Sequence, residues 1–515
     1  MKIELNEEFL LALRLMEETD RHVFITGRAG MGKSTLLQYF CEHTKKSVVV
    51  LAPTGIAAIN AGGQTIHSFF NFRPEVTPDT ASEIKPRHPE LYKSIDTIII
   101  DEISMVRADL LDCVDVFLRK FGKKRRKPFG GIQMVFIGDL YQLPPVVKSK
   151  EKHLFNDFYK SPYFFDARVF EKIDMEFVEL EKIYRQKDES FITLLNNIRN
   201  NSITPEELER LNTRVIPDFE PSKDDFYIYL TTTNALANSI NMERLKEIKD
   251  KEYTFEGHIR GDFPEKDLPT SPVLKLKRGA QVMLLNNDPF GRWVNGSIGK
   301  IVDFVKEDRM FLILVEFEDG EVFEVTSFKW ETIEYYYNER AKRLSSAVTG
   351  SFTQYPLRLS WAVTIHKSQG KTFDKVIIDL GHGTFAHGQM YVALSRCTSF
   401  EGLVFNKPLK KRYIIMDWRV VNFLTGFQYN LSEKEMPIDE KISVIREAIN
   451  MKQSLEIIYL KKSDEKTKRV IYPISVGEMN YGGRSFIGLK AYCNLRNDER
   501  NFRIDRILYI RRINS

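Results

Sequence analysis

At roughly 150 residues per domain, a chain of 515 residues predicts three or four domains, and its 43% hydrophobic and 29% charged content excludes a disordered chain. The net charge of +5 permits a nucleic-acid partner without demanding one, so local clustering of charge has to decide. Cys41, Cys113, Cys397 and Cys493 are scattered without CxxC spacing, the N-terminal MKIELNEEF lacks a signal peptide's basic start and apolar run, and no apolar run reaches membrane-span length, so a soluble cytoplasmic protein in a reducing compartment is expected.

Residues 1–20 read as an amphipathic helix. A short apolar strand at 22–26 follows, then GRAGMGKS at 27–34, then a helix-forming run from 34 to 40. Strand, glycine-rich turn and helix in that order form a phosphate cradle, because backbone N–H groups reach the phosphates only where no Cβ intervenes. Lys33 is placed for the β- and γ-phosphates of a nucleoside triphosphate, and the Ser34 hydroxyl for Mg²⁺. An ordinary glycine turn is the competing reading, and the match at all four fixed positions disfavours it. From 22 to about 176 apolar strands (48–51, 97–100, 134–137) alternate with helical stretches, which predicts a parallel sheet covered on both faces. Residues 71–88, rich in proline and charge, read as an inserted loop or small subdomain.

The strand at 97–100 ends in Asp101-Glu102. At that place Asp101 would hold Mg²⁺ through water, and Glu102 would orient and deprotonate the attacking water. GDLYQLPP (138–145) follows the next strand and offers Gln142 as a γ-phosphate sensor, or merely as a surface residue on a strand end. A second α/β block starts near 177. It carries Arg185 in LEKIYRQ (180–186), a strand at 226–231, and Arg396 in YVALSR (391–396). An arginine reaching the transferred phosphoryl group contributes on the order of 10³–10⁵ in rate; for Arg185 alone a surface role is equally open. Even spacing of apolar residues at 274–284 and 311–317, with a hairpin turn at Asp319-Gly320, predicts a small antiparallel barrel at 253–335. The basic run KKRRK (123–127) reads as a solvated loop before it reads as a guide for DNA. Residues 432–437 read as a linker. A helix at 439–452 and strands at 455–460, 469–473, 484–492 and 501–510 then predict a small α+β domain.

GRAGMGKS, APTGIAAINAGGQTIHSFF (52–70), IIIDEISMV (98–106), GDLYQLPPV, LEKIYRQ, LTTTNALANSIN (230–241), WAVTIHKSQGKTFD (361–374) and GQMYVALSR (388–396) occur in this order. Together they resemble the Pif-type DNA helicases of superfamily 1, close to the RecD-like branch, over about 1–430. The resemblance implies two RecA-like parallel-sheet domains clamping ATP, at 1–176 and at 177–252 with 336–431. It places a loop or pin insertion at about 64–90 in the first and a small β-barrel at 253–335 in the second. It implies Gly27, Ala29, Gly30, Met31, Gly32, Lys33, Ser34, Thr35 and Gly370 around the nucleotide. Pro53, Thr54, Gly55, His67, Ser68, Thr232, Asn234, His366 and Lys367 are similar to the family's strand-contacting positions; hydroxyls, amides and backbone N–H groups grip phosphates without reading sequence. For His67 a structural role is equally open, and Phe69 and Phe70 read as core before they read as stacking platforms.

The family's adenine-reading glutamine is replaced by Leu5-Asn6-Glu7-Glu8-Phe9, so these residues fix phosphate binding more firmly than choice of base. The tail at 437–515 resembles a WYL-type domain in which Phe486-Ile487-Gly488-Leu489 replaces the defining tripeptide. This implies a module for nucleic acid, a small ligand or another protein, with Arg503 and Arg506 as candidate phosphate contacts. The expected protein is a monomeric ATP- and Mg²⁺-dependent helicase moving 5′-to-3′ on single-stranded DNA and unwinding duplexes, including forks, R-loops or G-quadruplexes. A DNA-dependent ATPase that remodels nucleoprotein without strand separation, and a nucleic-acid sensor acting through the tail, are the alternatives.

Overall fold

Short runs of Val, Ile and Phe that are apolar at every position belong to strands buried on both faces. In the computed structural model these runs become His22–Gly27 (β1), Val48–Ala52 (β2), Gln64–Thr65 (β3), Thr97–Ile100 (β4), Gln133–Ile137 (β5) and Met175–Leu180 (β6). All pairings among them are parallel, in the order β3-β2-β4-β5-β1-β6. The structure describes residues 6–28, 30–147, 151, 155, 157–182, 188–222, 225–307, 310–380, 383–384, 386–481 and 483–513. Phe9, Ala12 and Met16 of the helix Glu7–Glu18 and Leu36, Leu37 and Phe40 of the helix Lys33–His43 share one core with Val23, Ile25, Ile99 and Val135. The helix Ala108–Phe121 buries Leu111, Val114, Phe117 and Leu118. One boundary moves. Residues 177–180 were expected to open the second block, but they pair in register with β1 as an edge strand of the first sheet.

His22 opens β1, and its Nδ1 accepts the Met134 N–H at 3.0 Å, which needs a neutral ring. Burial lowers its pKa to about 4. Below the unfolded value near 6.5 the unfolded chain takes up a proton that the fold refuses, so stability falls from pH 6.5 down to about 4. The loss should approach about 3 kcal/mol, with none above pH 7. His22→Gln should flatten this part of a thermal-melting profile against pH; an unchanged profile would reject the assignment.

The insertion after β3 is ordered by aromatics. Phe70 lies 5.3 Å and Tyr92 4.8 Å from Phe117, and Phe69 meets both Phe70 and Tyr92 edge-on. Phe69 and Phe70 are therefore core residues. Short helices at Pro78–Glu83 and Pro89–Ser94 complete the insertion. Residues 123–127 are all exposed, and Lys123 pairs with Asp96 at 2.5 Å.

A second parallel sheet of four strands has the order Ala362–Thr364, Ile228–Thr231, Val376–Asp379, Leu403–Phe405. Between its first two strands in the chain stands antiparallel structure. Five strands from Gln281 to Leu359 form one sheet around Val282, Leu284, Ile301, Ile313 and Val315. A long hairpin, Phe328–Asn338 with Arg343–Gln354, pairs with His258–Gly261. Antiparallel pairing thus continues to Leu359 rather than stopping at 335. The alternating residues of 343–359 supply two further strands before the parallel pattern resumes.

Two compact units result, 1–199 with 203–415, and 200–202 with 416–515. In the second, five antiparallel strands take the order Asp498–Arg503, Arg484–Cys493, Lys466–Tyr481, Ser454–Leu460, Ile507–Ile513. The helix Ile438–Asn450 covers one face through Ile445 and Ala448. Two expectations fail here. The predicted strand 501–510 is broken by a 3₁₀ turn at Ile504–Arg506. Most of the predicted linker 432–437 is the end of the helix Trp418–Glu435. Ser432 is buried there: its hydroxyl accepts the Lys441 ammonium at 2.7 Å and faces the Leu508 carbonyl at 2.8 Å. Among the described residues no helix is long and apolar enough to cross a membrane.

Candidate active site and nucleic-acid track

Gly32 caps the helix Lys33–His43 at φ +82°, a conformation that a Cβ resists, and Gly30 shares that angle. The loop therefore leaves β1, doubles back and delivers N–H groups at a helix start. Met31 is buried, and its sulfur accepts the Arg28 N–H at 3.0 Å. Lys33 Nζ donates to the carbonyls of Gly27 and Arg28, at 2.7 and 3.0 Å. Ser34 and Thr35 stand exposed on the first helical turn. Ala29 and Arg185 lie outside the described residues.

Asp101 and Glu102 follow β4, the neighbour but one of β1 in the sheet. Asp101 Oδ1 accepts the Glu102 N–H at 2.9 Å, and Glu102 itself sits at φ +50°. Burial, then the Asp101 carboxylate, pushes the Glu102 carboxyl up to about 7, while Lys33 and Arg396 pull against this. Burial also raises Asp101, opposed by the Glu102 N–H and by Lys33. The two acids and the lysine thus feel one another's charge.

Past β5, Asp139 is fully buried. Its carboxylate accepts the Tyr141 N–H at 3.1 Å and Gln142 Nε2 at 3.2 Å. Gln142 is thereby held in place by a carboxylate rather than left on the surface. The facing domain reaches this loop: a His387 ring nitrogen lies 3.1 Å from the Leu140 carbonyl, and the Arg199 guanidinium lies 3.8 Å from the centre of the Tyr141 ring.

Arg396 is 1% exposed. Its Nε donates to Val392 O at 2.9 Å, and its terminal nitrogens donate to Lys371 O at 3.2 Å and Ser395 Oγ at 2.9 Å. Its charge nevertheless reaches Glu102. Gln369 bridges directly to this acid, its Nε2 donating to Glu102 Oε2 at 3.0 Å. Gly370 follows it at φ +78°. Gln369, Asp139, Arg199 and His387 were not singled out in the sequence. Gln369 lies inside the IHKSQG motif, but only the fold shows which carboxylate it meets.

The positions expected to contact the strand all follow C-terminal ends of parallel strands, the edge where such sheets place ligands. Pro53, Thr54 and Gly55 follow β2, and Thr54 Oγ1 accepts the Ala57 N–H at 3.3 Å. His67 and Ser68 follow β3, and His67 titrates low through burial and then the Lys266 charge. Thr232 and Asn234 follow Ile228–Thr231, and Asn234 opens a helix. His366 and Lys367 follow Ala362–Thr364; burial lowers both, and Lys367 is further lowered by Arg358. In the second unit, Arg503 is committed to Asp505 at 2.6 Å and lies over the Phe486 ring; Arg506 is part-buried in the 3₁₀ turn.

A glycine cradle facing a second parallel sheet, with carboxylates tied to both, defines a nucleotide-driven motor of the two-sheet class. The profile of the PIF1-like helicase family matches residues 8–209, one described as Helicase matches 300–424, and that of the WYL domain matches 440–512. The ATP-dependent DNA helicase Pif1 of Bdellovibrio bacteriovorus is 33% identical over 440 residues, covering 83% of this chain and 93% of its own. The crystal structure of Bacteroides sp Pif1 in complex with ADP-AlF4 superposes with a TM-score of 0.76 at 39% identity, covering 83% of this chain and 98% of that one. Bacteroides Pif1 bound to ssDNA gives 0.57 at 39% identity, covering 82% and 96%. The chain belongs to the PIF1-like helicase family.

Proposed function

We infer that this chain is an ATP-dependent DNA helicase that moves 5′-to-3′ on single-stranded DNA and opens duplexes ahead of it, forked or otherwise structured DNA among them. The observation that carries the reading is the Gln369–Glu102 hydrogen bond, which ties the water-activating carboxylate of one sheet to the motif loop of the other. A change at the γ-phosphate therefore has a physical route to the facing domain, and so to the residues that hold the strand.

ATP sits on the 27–34 loop, with Lys33 against its β- and γ-phosphates. Ser34 and Asp101 present hard oxygen donors, a hydroxyl and a carboxylate, which suit Mg²⁺ alongside phosphate oxygens. Mg²⁺ would supply charge neutralisation at the phosphates. Glu102 takes the proton of the attacking water, a task its raised affinity for protons favours. Gln142, steadied by Asp139, reads the γ-phosphate. Arg396, with Arg185, stabilises the charge spread over the transferred group. Release of the clamp and alternating grip by Pro53–Gly55 with His67–Ser68 and by Thr232–Asn234 with His366–Lys367 convert closure into steps. The protein works as a monomer in the cytoplasm, and the second unit is an interaction module for nucleic acid or protein.

Strand displacement on duplexes carrying a 5′ or a 3′ single-stranded tail tests the reading. Unwinding with ATP of the 5′-tailed duplex, and not of the 3′-tailed one, is expected. Equal or reversed preference would overturn the polarity. DNA-stimulated ATP turnover with no displacement on either would favour a remodelling ATPase.

A further inference from the structure

Gly55, one of the proposed strand contacts, is buried. A Cβ built on it would stand 2.2 Å from both Cγ and Oδ1 of Asp267. The Asp267 side chain therefore lies directly on the Gly55 backbone, and only glycine tolerates that approach. Asp267 belongs to the antiparallel insertion of the facing domain, in a short 3₁₀ turn, Glu265–Asp267. Among the described residues its carboxylate has no hydrogen-bond or ion-pair partner, although it is half-buried. Burial raises its pKa, with Lys266 opposing. A carboxylate kept partly out of water without a partner costs stability, so its position calls for another explanation than packing.

The chain around it is a strap, 262–270, pinned at both ends. At one end the Asp262 N–H donates to Thr349 O at 3.0 Å and Asp262 O accepts the Thr332 hydroxyl at 2.9 Å, both on the long hairpin. At the other end Arg358 donates to Pro269 O, and the Thr270 hydroxyl donates to Leu357 O at 2.6 Å. Between these anchors the strap crosses Gly55, and the Lys266 charge reaches His67. Lys367 in turn feels the Arg358 charge. The strap thus lies against the first domain's proposed strand contacts, and its far anchor, Arg358, is the residue whose charge reaches Lys367 in the second.

We propose that the strap 262–270 is a gate on the single-strand track, with the Asp267 carboxylate occupying at Gly55 the place of a DNA phosphate. This rests on the reading of Pro53–Gly55 as strand contacts. Two anions cannot share one site, so the strand enters only when the strap lifts, and the gate sets the affinity of the nucleotide-free protein for DNA. The hairpin anchor gives the insertion a lever: moving the hairpin moves Asp262, and with it Asp267.

The test is equilibrium binding of a fluorescein-labelled oligo-dT to the full chain without nucleotide, by anisotropy, with association rates by stopped flow. Asp267→Ala and Asp267→Asn should tighten binding roughly 5-fold or more, mostly through faster association. Glu265→Gln, which removes an exposed charge from the same strap, should stay within about twofold. Thr54→Ala should weaken binding in both the wild-type and the Asp267→Ala background. If Thr54→Ala weakens binding while neither Asp267 variant tightens it, the gate is wrong and the contact reading stands. If Thr54→Ala binds as the wild type does, the track does not pass Gly55 and the proposal falls with that reading. Tightening by Glu265→Gln equal to that by Asp267→Asn would reduce the effect to general charge and overturn the gate.

Discussion

Lys33→Ala will abolish ATP hydrolysis, with a fall in kcat of at least about 10³-fold, or some 4 kcal/mol of transition-state stabilisation. The structure gives two reasons. The ammonium is the cation set into the loop, bonded to the carbonyls of Gly27 and Arg28, so its removal leaves the loop itself with only N–H dipoles to offer the phosphates. It also lowers the proton affinity of both Asp101 and Glu102. Without it the two buried acids repel each other with less relief, and Glu102 holds a proton more often at neutral pH. The variant thus loses phosphate charge neutralisation and the ionised base together. Lys33→Arg keeps the charge but places a planar fork where a compact ammonium fits, and should recover little. Steady-state ATPase with saturating single-stranded DNA is the measurement; turnover within tenfold of wild type would end the phosphate-loop assignment.

What could be read without coordinates was local. The cradle, the strand ends carrying Asp101 and Glu102, and the alternating antiparallel residues are patterns within short windows, and the fold places them as such patterns demand. What could not be read depends on partners far apart in the chain. Gln369 and Glu102 are 267 positions apart, and nothing about a glutamine names its acceptor. The same holds for Asp267 on Gly55, where a 3₁₀ turn with no periodicity meets a glycine whose motif already explained it. The residues around 432–437 misled for another reason. Polar and charged composition reads as solvated linker, yet Ser432 is buried because Lys441 and the 507–508 backbone satisfy its hydroxyl. A truncation meant to isolate the motor therefore belongs before residue 416 rather than at 437, since the helix Trp418–Glu435 is built into the second unit. Asn6, in the stretch where the family's glutamine would stand, is spent on capping the first helix, its Oδ1 accepting the Phe9 N–H at 2.9 Å.

Arg396→Lys will leave nucleotide binding within a few-fold and cut kcat by on the order of 10³. The lysine form is the informative one. Arg396→Ala would strip donors from Val392 O, Lys371 O and Ser395 Oγ and open a hole in a site that is 1% exposed, so a dead alanine variant proves only that the helix Gln389–Leu394 needs its neighbour. Lysine keeps the positive charge that lowers Glu102. It loses the planar fork that can hold its own backbone with some N–H groups while turning others to a phosphoryl oxygen. Electrostatic support of the base and direct stabilisation of the transferred group are thereby separated. If the charge alone mattered, Arg396→Lys would turn over ATP nearly as wild type does and the direct role at the transferred phosphoryl group would be withdrawn. If the fork acts on the phosphoryl group, kcat drops while ADP affinity and melting temperature hold. A drop in kcat accompanied by a fall of many degrees in melting temperature would instead place Arg396 among the residues that only build the wall.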